Sequence, residues 1–261
     1  MESDLLSQRE IRRYNRQIMI SDLGLKGQEA LKKAKVLVVG AGGLGCPVLQ
    51  YLTAAGVGRI AIAEFDKVDE SNLQRQVLYG TSDVGKLKSI IAKSRLEHLN
   101  SNVEFEVINI RLEPDNALGT IANFDVIVDA TDNLESRYVI NDSCVILNKP
   151  MVHGSIYKFE GLISVFNYKD GPTYRCYNPS GPGGNFKNPA PAGVGLLGVL
   201  PGITGTYMAN EVIKIITGSG EVLAGKILLL NILNNTFKTF TVNNNPHNHN
   251  ISNLTYLNPQ I

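Results

Sequence analysis

The chain contains no tryptophan and only three cysteines among its 261 residues. Cys46, Cys144 and Cys176 lie far apart, and they form neither a CxxC pair nor the dense framework of a disulfide-stabilised secreted domain. Free thiols in a chain of this size are typical of a reducing compartment. The N-terminal stretch is charged throughout and lacks the apolar core of a signal peptide. We therefore expect a cytoplasmic protein.

An excess of one charge is also missing. The 25 Lys and Arg residues balance 24 Asp and Glu residues, which leaves a formal net charge of +1. This near-neutrality predicts neither a nucleic-acid partner nor an anionic membrane surface. The one long uncharged stretch, residues 188–210, is interrupted by Pro189, Pro191 and Pro201. A spanning helix needs about 20 mainly apolar residues, so we expect a buried loop and helix here instead.

What the sequence does contain is a nucleotide-binding pattern. A β-branched run, Val36–Val39, precedes the glycine-rich segment 40–45 and a helical stretch over residues 43–55, and a second apolar run, Ile60–Phe65, ends at Asp66. This is the order of a βαβ nucleotide-binding unit.

Each glycine of this segment has an expected purpose. Gly40 permits the tight turn, Gly42 and Gly43 leave room for phosphate, and Gly45 allows close helix–strand packing. The helix N-terminus that follows supplies partial positive charge for an anion.

Polar residues after the second strand extend this pattern. Asp66 stands at the carboxyl end of the strand, where a carboxylate accepts ribose hydroxyls, while Glu64 lies on the same side of the strand and is the competing candidate. Asn72, Arg75 and Gln76 follow on an expected loop, and Arg75 offers a fork of donors for phosphate. An amide and a guanidinium in these positions favour a triphosphate over a nicotinamide.

Two further candidates come later in the chain. Lys86 and Lys88 lie at an expected helix start, where a cation is unfavourable against the helix dipole, so one of them is expected to serve a ligand. Asp132 follows the fourth strand and is placed to hold Mg²⁺, with helix capping as the alternative role. Asp129 falls inside that strand and is expected to be structural.

The distribution of elements predicts an α/β fold with a doubly wound, mostly parallel, Rossmann-like sheet. Antiparallel strands are expected to extend this sheet, and a helical arm, with one helix over residues 4–20, precedes it. We divide a single domain, residues 1–261, into the arm (1–30), a nucleotide-binding half (31–155) and a second half (156–261). The remaining expectations are strands at Val103–Ile110, Phe124–Ala130, Met151–Ile156, Gly161–Phe166, Ile227–Leu233 and Phe237–Val242, helices over 82–99, 135–147 and 203–216, a long functional loop over 171–195, and a poorly ordered tail from Asn243 except where it pairs back.

These residues resemble the ThiF/MoeB/HesA family, relatives of the ubiquitin-activating enzymes. The resemblance covers nearly the whole chain and rests on many motifs in order. They are Arg13–Ile18, the loop VGAGGLGCP at 39–47, Asp66, Ser71–Gln76, Val84–Lys88, Thr131–Asn133 and Tyr174–Cys176.

The resemblance implies a reaction and its site residues. ATP is expected at the glycine loop, and the C-terminal glycine carboxylate of a ubiquitin-like sulfur carrier ending in Gly-Gly would attack its α-phosphate. Asp66 would hold the ribose, Asp132 would hold Mg²⁺, and three residues would hold phosphates: Asn72, Arg75 and Lys88. Arg16 matches an arginine that the family supplies across a dimer interface, which implies a homodimer with composite sites.

The sequence departs from the family in two places. Many members bind zinc through two CxxC pairs, but here the first pair is reduced to Thr173 and Cys176, and the second should fall within NPHNHNI at 245–251. One thiolate cannot complete a tetrahedral site, so we predict no zinc and a buried Cys176, although His247 and His249 are conceivable partners. Proline replaces the cysteine of a covalent trap within residues 188–194. Adenylation alone is therefore expected, with sulfur delivered by another protein.

Three other functions agree less well with these residues. An NAD-dependent oxidoreductase would leave Arg75, Lys88 and Asp132 without a role. A family member that adenylates another carboxylate, on a modified tRNA base or a peptide, is the nearer alternative. A catalytically silent homologue would not need the complete polar set.

Overall fold

The computed structural model describes residues 3–179 and 195–254, and these form one eight-stranded sheet with helices on both faces. The strands are β1 (Lys35–Val39), β2 (Arg59–Ala63), β3 (Glu104–Ile108), β4 (Val126–Asp129), β5 (Met151–Tyr157), β6 (Glu160–Phe166), β7 (Lys226–Asn231) and β8 (Thr236–Thr241). Their order is β3-β2-β1-β4-β5-β6-β7-β8. Neighbours from β3 to β5 pair in parallel, and those from β5 to β8 pair antiparallel. The predicted α/β class, with antiparallel strands extending a parallel sheet, is confirmed.

The described helices cover both faces of the sheet. They are α1 (Gln8–Ile18), α2 (Gly24–Lys33), α3 (Gly45–Ala55), α4 (Lys88–Leu99), α5 (Ala117–Ile121), α6 (Leu134–Ile146), α7 (Tyr174–Tyr177) and α8 (Val199–Thr217). Alternate residues of β1 belong to two apolar cores. Val36 and Val38 pack with residues of α2, α3, α4 and α8, whereas Leu37 and Val39 pack with α5 and α6. A strand buried on both faces explains the continuous apolar run in the sequence.

Several helix boundaries differ from expectation. The N-terminal arm holds two helices rather than one over residues 4–20, because a capping box between Ser7 and Glu10 starts α1 and a new helix starts at Gly24. The helix expected over 82–99 begins only at Lys88. Gly85 has a φ of +85° and Leu87 is extended, which no continuous helix allows. The short helix α5 was not predicted.

The regions expected to lack regular structure are partly ordered. Within the predicted loop 171–195, α7 forms and buries Tyr174. Residues 188–194, where proline replaces the trap cysteine, lie outside the described residues. The described part of the tail after Asn243 pairs back onto Cys176, makes one helical turn, Pro246–His249, and buries Leu254. The assignment of residues 1–261 to one domain stays a prediction.

Candidate nucleotide-binding site

The principal cavity lies at the carboxyl ends of β1, β2 and β4. From β1 the chain runs to β2 and β3 on one side of that strand and then crosses to β4 on its other side. The strand order therefore reverses between β1 and β4, which is where open α/β sheets bind ligands. The cavity has a volume of about 720 Å³. It is lined by seven of the predicted site residues: Gly40, Gly42, Gly43, Asp66, Arg75, Lys88 and Asp132. Gly45, Asn72 and Arg16 do not line it.

A side chain at each glycine of the loop would meet different neighbours, so the steric reason for glycine differs from one position to the next. Gly40 has a φ of +95°, and a Cβ there would lie 2.8 Å from the Ala130 carbonyl oxygen. At Gly45, the first residue of α3, a Cβ would lie 2.0 Å from the carbonyl oxygen of Gly40. At Gly42 a Cβ would meet only the Gln76 side chain at 3.5 Å, so this backbone is open toward the cavity. Gly45 therefore closes the loop, while Gly42 leaves space for a ligand.

This difference predicts separable effects of two alanine substitutions. Gly45→Ala is expected to lower the melting temperature, because its methyl group meets backbone that cannot yield. Gly42→Ala is expected to keep the melting temperature within a few degrees and to raise the KM for ATP, because its methyl group enters the phosphate space. Thermal unfolding and ATP-dependent kinetics on both variants check this. Equal melting temperatures for the two variants would contradict the steric argument.

Glu64 and Asp66, the competing ribose candidates, are in contrasting environments. Glu64 is buried, and its carboxylate accepts hydrogen bonds from the backbone N–H groups of Ala41 (3.0 Å), Phe65 (2.9 Å) and Asp66 (2.9 Å). It fixes the glycine loop to the end of β2. The Asp66 side chain is 57% exposed at the cavity. The geometry leaves Asp66 available for a ribose and gives Glu64 a structural role.

Lys86 and Lys88 are separated in the same way. Lys88 is only 4% exposed, lines the cavity, and places Nζ 3.4 Å from Asp66 Oδ2. That distance is longer than a usual N–H···O bond, and an ammonium has three donors. Lys86 is exposed and lies 3.8 Å from Asp83. Of the two lysines, Lys88 is therefore the one that lines the cavity.

Arg75 follows a single helical turn, Glu70–Asn72, which Asp69 caps by accepting the Ser71 N–H at 2.9 Å. Its Nη1 donates to the Ser71 carbonyl at 3.1 Å, which orients the guanidinium beside the cavity. Gln76 is buried at the cavity wall with Oε1 unpartnered. Asn72 is half-buried and does not line the cavity, so its predicted phosphate contact stays a prediction.

Asp132 is exposed at the cavity, directly before α6. The cap of α6 is Asn133, whose side chain accepts the Ser136 N–H at 2.9 Å. The capping alternative for Asp132 is therefore wrong, and its carboxylate is left facing the cavity. This loop is anchored from behind by Asp129, which accepts the Thr131 N–H at 3.0 Å.

A buried pair holds that anchor. Asp129 Oδ2 lies 2.7 Å from His153 Nδ1, and both residues are at most 1% exposed. Burial alone would raise the pKa of Asp129, but the hydrogen bond from His153 and the charge of Arg137 outweigh it and lower that pKa. Burial lowers the pKa of His153. The buried carboxylate and imidazole are thus paired with each other, and Asp129 is structural as expected.

Sequence reasoning missed one residue at this edge. Arg137 is 6% exposed, donates from Nη2 to the Thr131 carbonyl at 3.2 Å, and lines the cavity. It braces the loop that carries Asp132. The available signal was an arginine surrounded by buried positions of α6, which is rare without a partner.

The remaining predictions concern Arg16 and the cysteines. Arg16 is exposed on α1, away from the cavity, so its role across an interface stays a prediction. Cys46 is buried in the core, and burial raises the pKa of its thiol to about 12. Cys176 is half-buried rather than buried. Burial works to raise the pKa of its thiol, but hydrogen bonds from Asn248, Asn245 and Thr173 lower it overall.

Residues 3–179 and 195–254 contain no cluster of three His, Cys, Asp or Glu side chains arranged to hold a metal ion. None of the helices within these ranges has the length and apolarity needed to cross a membrane.

A doubly wound sheet with a glycine loop, a lysine and an arginine around one cavity at the strand ends is typical of nucleotide-binding proteins. The chain belongs to the ThiF family, which matches residues 14–251, and it is an adenylyltransferase. It is 48% identical over 242 residues to a sulfur carrier protein adenylyltransferase of Thermus thermophilus, with 91% of this chain and 89% of that protein covered. The predicted family and enzyme class are thereby confirmed.

Other relatives are longer. The chain is 46% identical over 233 residues to the adenylyltransferase and sulfurtransferase MOCS3 of Aedes aegypti, covering 89% of this chain but 53% of that protein. Among solved structures, Escherichia coli MccB with ATP superimposes with a TM-score of 0.79 at 22% identity, covering 94% of this chain and 75% of that chain. At this identity the likeness supports the fold alone.

Proposed function

We propose that this protein adenylates the C-terminal glycine of a small ubiquitin-like sulfur carrier. A carboxylate oxygen of the glycine attacks the α-phosphorus of ATP, the bond to the bridging oxygen breaks, and pyrophosphate leaves with that oxygen. The product is an acyl-adenylate ready for thiolation. The resemblance to the sulfur carrier protein adenylyltransferase supports this substrate, and the pathway, whether thiamine, molybdopterin or another, is left open.

One observation carries the proposal. The cavity brings together an open glycine loop, the exposed carboxylate of Asp66 and two cations, Lys88 and Arg75, on one edge of the sheet. In the proposed complex, Lys88 and Arg75 would offset the negative charge of the phosphates. Such preorganised donors supply most of the catalysis in nucleotidyl transfer, since positioning and charge neutralisation are all that the step requires. No side-chain nucleophile is needed.

We propose that Asp132 holds Mg²⁺ against the phosphates. A single exposed carboxylate suits this ion, which keeps several waters and takes its other ligands from the nucleotide. When bound, the ion would offset charge on the departing pyrophosphate. Arg137 and Asn133 would keep the Asp132 loop in position.

We also propose a homodimer in which Arg16 completes the partner's site. Arg16 is exposed on α1 and lies outside its own cavity, which is what a residue supplied across an interface requires. Sedimentation analysis that finds only monomer at assay concentrations would rule this out. Sulfur is expected to come from another protein. The chain spans 53% of the MOCS3 relative and 64% of the MoeZ relative, both of which are named as sulfurtransferases.

The alternatives have less support. Adenylation of a peptide would parallel the structural likeness to MccB bound to its MccA peptide, but that likeness is 23% in identity and concerns the fold. Adenylation of a modified tRNA base would be at odds with a net charge of +1. An NAD-dependent oxidoreductase has no support from the relatives.

Exchange of labelled pyrophosphate into ATP tests the proposal. We expect exchange to depend on a carrier that ends in Gly-Gly and to vanish when the terminal glycine is removed. A carrier with an amidated C-terminus is the matched control, since it keeps every contact except the nucleophile. Failure of candidate carriers to stimulate exchange, with ATP binding intact, would sink the carrier assignment and leave the nucleotide site standing.

A further inference from the structure

The segment after β8 returns to α7 and meets it at a cluster of four residues. Thr173 and Cys176 are three positions apart on one side, and Asn245 and Asn248 are three positions apart on the other. The other three residues contact the sulfur of Cys176. The spacing is that of two CxxC pairs, with three of the four cysteines replaced. We call Thr173, Cys176, Asn245 and Asn248 the thiol cluster.

The contacts within the thiol cluster are hydrogen bonds. The Asn245 backbone N–H and the Asn248 side-chain amide each donate to Cys176 Sγ at 3.4 Å, and the Thr173 hydroxyl lies 3.6 Å from it. The side-chain oxygen of Asn245 is used elsewhere, since it accepts the His247 N–H at 3.1 Å. His249 places Nε2 2.9 Å from Asn244 Oδ1.

These donors do not fit the zinc ion that the family resemblance implies. Structural zinc takes four sulfur or imidazole ligands in a tetrahedron, and the thiol cluster offers one sulfur. The other side chains of the cluster are a threonine hydroxyl and two asparagine amides, which are not the sulfur or imidazole ligands that structural zinc takes. The Asn245 amide oxygen already accepts the His247 N–H, and His249 places Nε2 against Asn244. The cluster is therefore a hydrogen-bonded thiol rather than a metal ligand set.

The thiol cluster nevertheless joins the same elements that a metal at these positions would join. Arg175 anchors α7 to α6 through two 2.8 Å bonds to Asp142, and the Tyr174 N–H donates to Asn141 at 2.7 Å. The segment held by the cluster delivers Leu254 to the apolar core that contains Tyr174. The C-terminal segment is thus tied through α7 to α6, the helix whose N-terminus carries the Asp132 loop.

We infer that hydrogen bonds to Cys176 replace a structural metal in this chain and pin the segment after β8 to α7. The protein then reaches its stable fold without zinc. Residues 173, 245 and 248 keep the positions from which cysteines would bind one. The inference does not depend on the carrier substrate, and its tests do not use activity.

Metal content and thermal unfolding of the full chain test the first part. We expect protein expressed with added zinc to contain far less than one ion per chain, and its melting temperature to be unchanged by a chelator. The variant Thr173→Cys/Asn245→Cys/Asn248→Cys is expected to bind about one zinc per chain and to lose stability on chelation. A stoichiometric zinc in the unaltered protein, or no zinc in the triple variant, would overturn the inference.

Hydrogen exchange tests the second part on folded protein. Asn248→Ala should speed amide exchange over residues 244–250 by about fivefold, the effect of losing one hydrogen bond worth about 1 kcal/mol. Cys176→Ala should speed it further, because both donors lose their acceptor. Asn123→Ala is the control, since that side chain makes one exposed bond to the Gly119 carbonyl on α5. Exchange over 244–250 that is unchanged in both cluster variants would show that the hydrogen bonds do not hold the segment.

Discussion

Lys88→Met is expected to lower carrier-dependent pyrophosphate exchange by a factor of about 10² to 10³, the effect of removing one preorganised donor to developing charge. The ammonium is buried at the cavity, and Asp66 is its one ion-pair partner among the described residues. A buried cation at a helix N-terminus loses hydration and interacts unfavourably with the helix dipole. Binding of an anion would offset both costs. Methionine keeps the length and packing of the side chain. Steady-state exchange at saturating ATP measures the effect.

Lys86→Met is the matched control. It removes the same charge two positions away, from an exposed side chain that lies 3.8 Å from Asp83 outside the cavity. Exchange should stay within about twofold of the unaltered protein, because a surface ion pair contributes at most about 1 kcal/mol. Equal losses in both variants would point to a general effect of charge. Loss of exchange in Lys86→Met alone would show that Lys86, and not Lys88, acts in the reaction.

The first half of the fold could be predicted from the sequence because its strands and loops are marked by neighbouring residues. The run Val36–Val39 is apolar at every position since both faces of β1 are buried, and glycines mark the loop that follows. The start of α4 was not readable in the same way. Ser82 and Asp83 look like a helix cap, but they form a separate single turn, and the positive φ of Gly85 breaks the chain direction before Lys88.

The charged residues that line the cavity could be predicted from the sequence, but the residues that hold their loops in place could not. Asp66 and Asp132 come shortly after β2 and β4, and that position brings both to one edge of the sheet. Arg75 and Lys88 lie further along the connection after β2, and Lys88 is the first residue of α4. The place of Asp66 at the strand end favours it over Glu64, and the structure adds that loop backbone N–H groups occupy Glu64. Arg137 was missed since its role depends on a carbonyl six residues away in the folded loop.

The order of the C-terminal segment depends on contacts that its amino-acid composition does not reveal. An asparagine-rich tail suggests poor order, yet asparagine side chains can hydrogen-bond nearby backbone and so build compact turns. Asn245 caps the turn at Pro246–His249, and Asn248 reaches Cys176. These bonds need α7, which lies about 70 positions earlier in the chain, so no local pattern announces them.

Asp132→Ala is expected to abolish measurable exchange while the melting temperature changes little. The carboxylate is exposed and does not cap α6, because Asn133 does, so its removal leaves the local hydrogen bonds in place. The loss should reflect magnesium: the Mg²⁺ concentration for half-maximal residual exchange should rise in Asp132→Asn, which keeps the shape and removes the charge. Exchange assays over a magnesium series measure both effects.

Asp115→Ala is the control for loss of an exposed acid, since this residue lies before α5 and outside the cavity lining. It should leave exchange and its magnesium dependence unchanged. Normal exchange in Asp132→Ala would remove the metal role and leave phosphate binding to Arg75 and Lys88 alone. A large drop in melting temperature would instead return Asp132 to a structural role, with Arg137 and Asn133 insufficient to hold the loop. The predicted combination, lost exchange with an intact fold, is specific to a carboxylate that acts on the bound nucleotide through its ion.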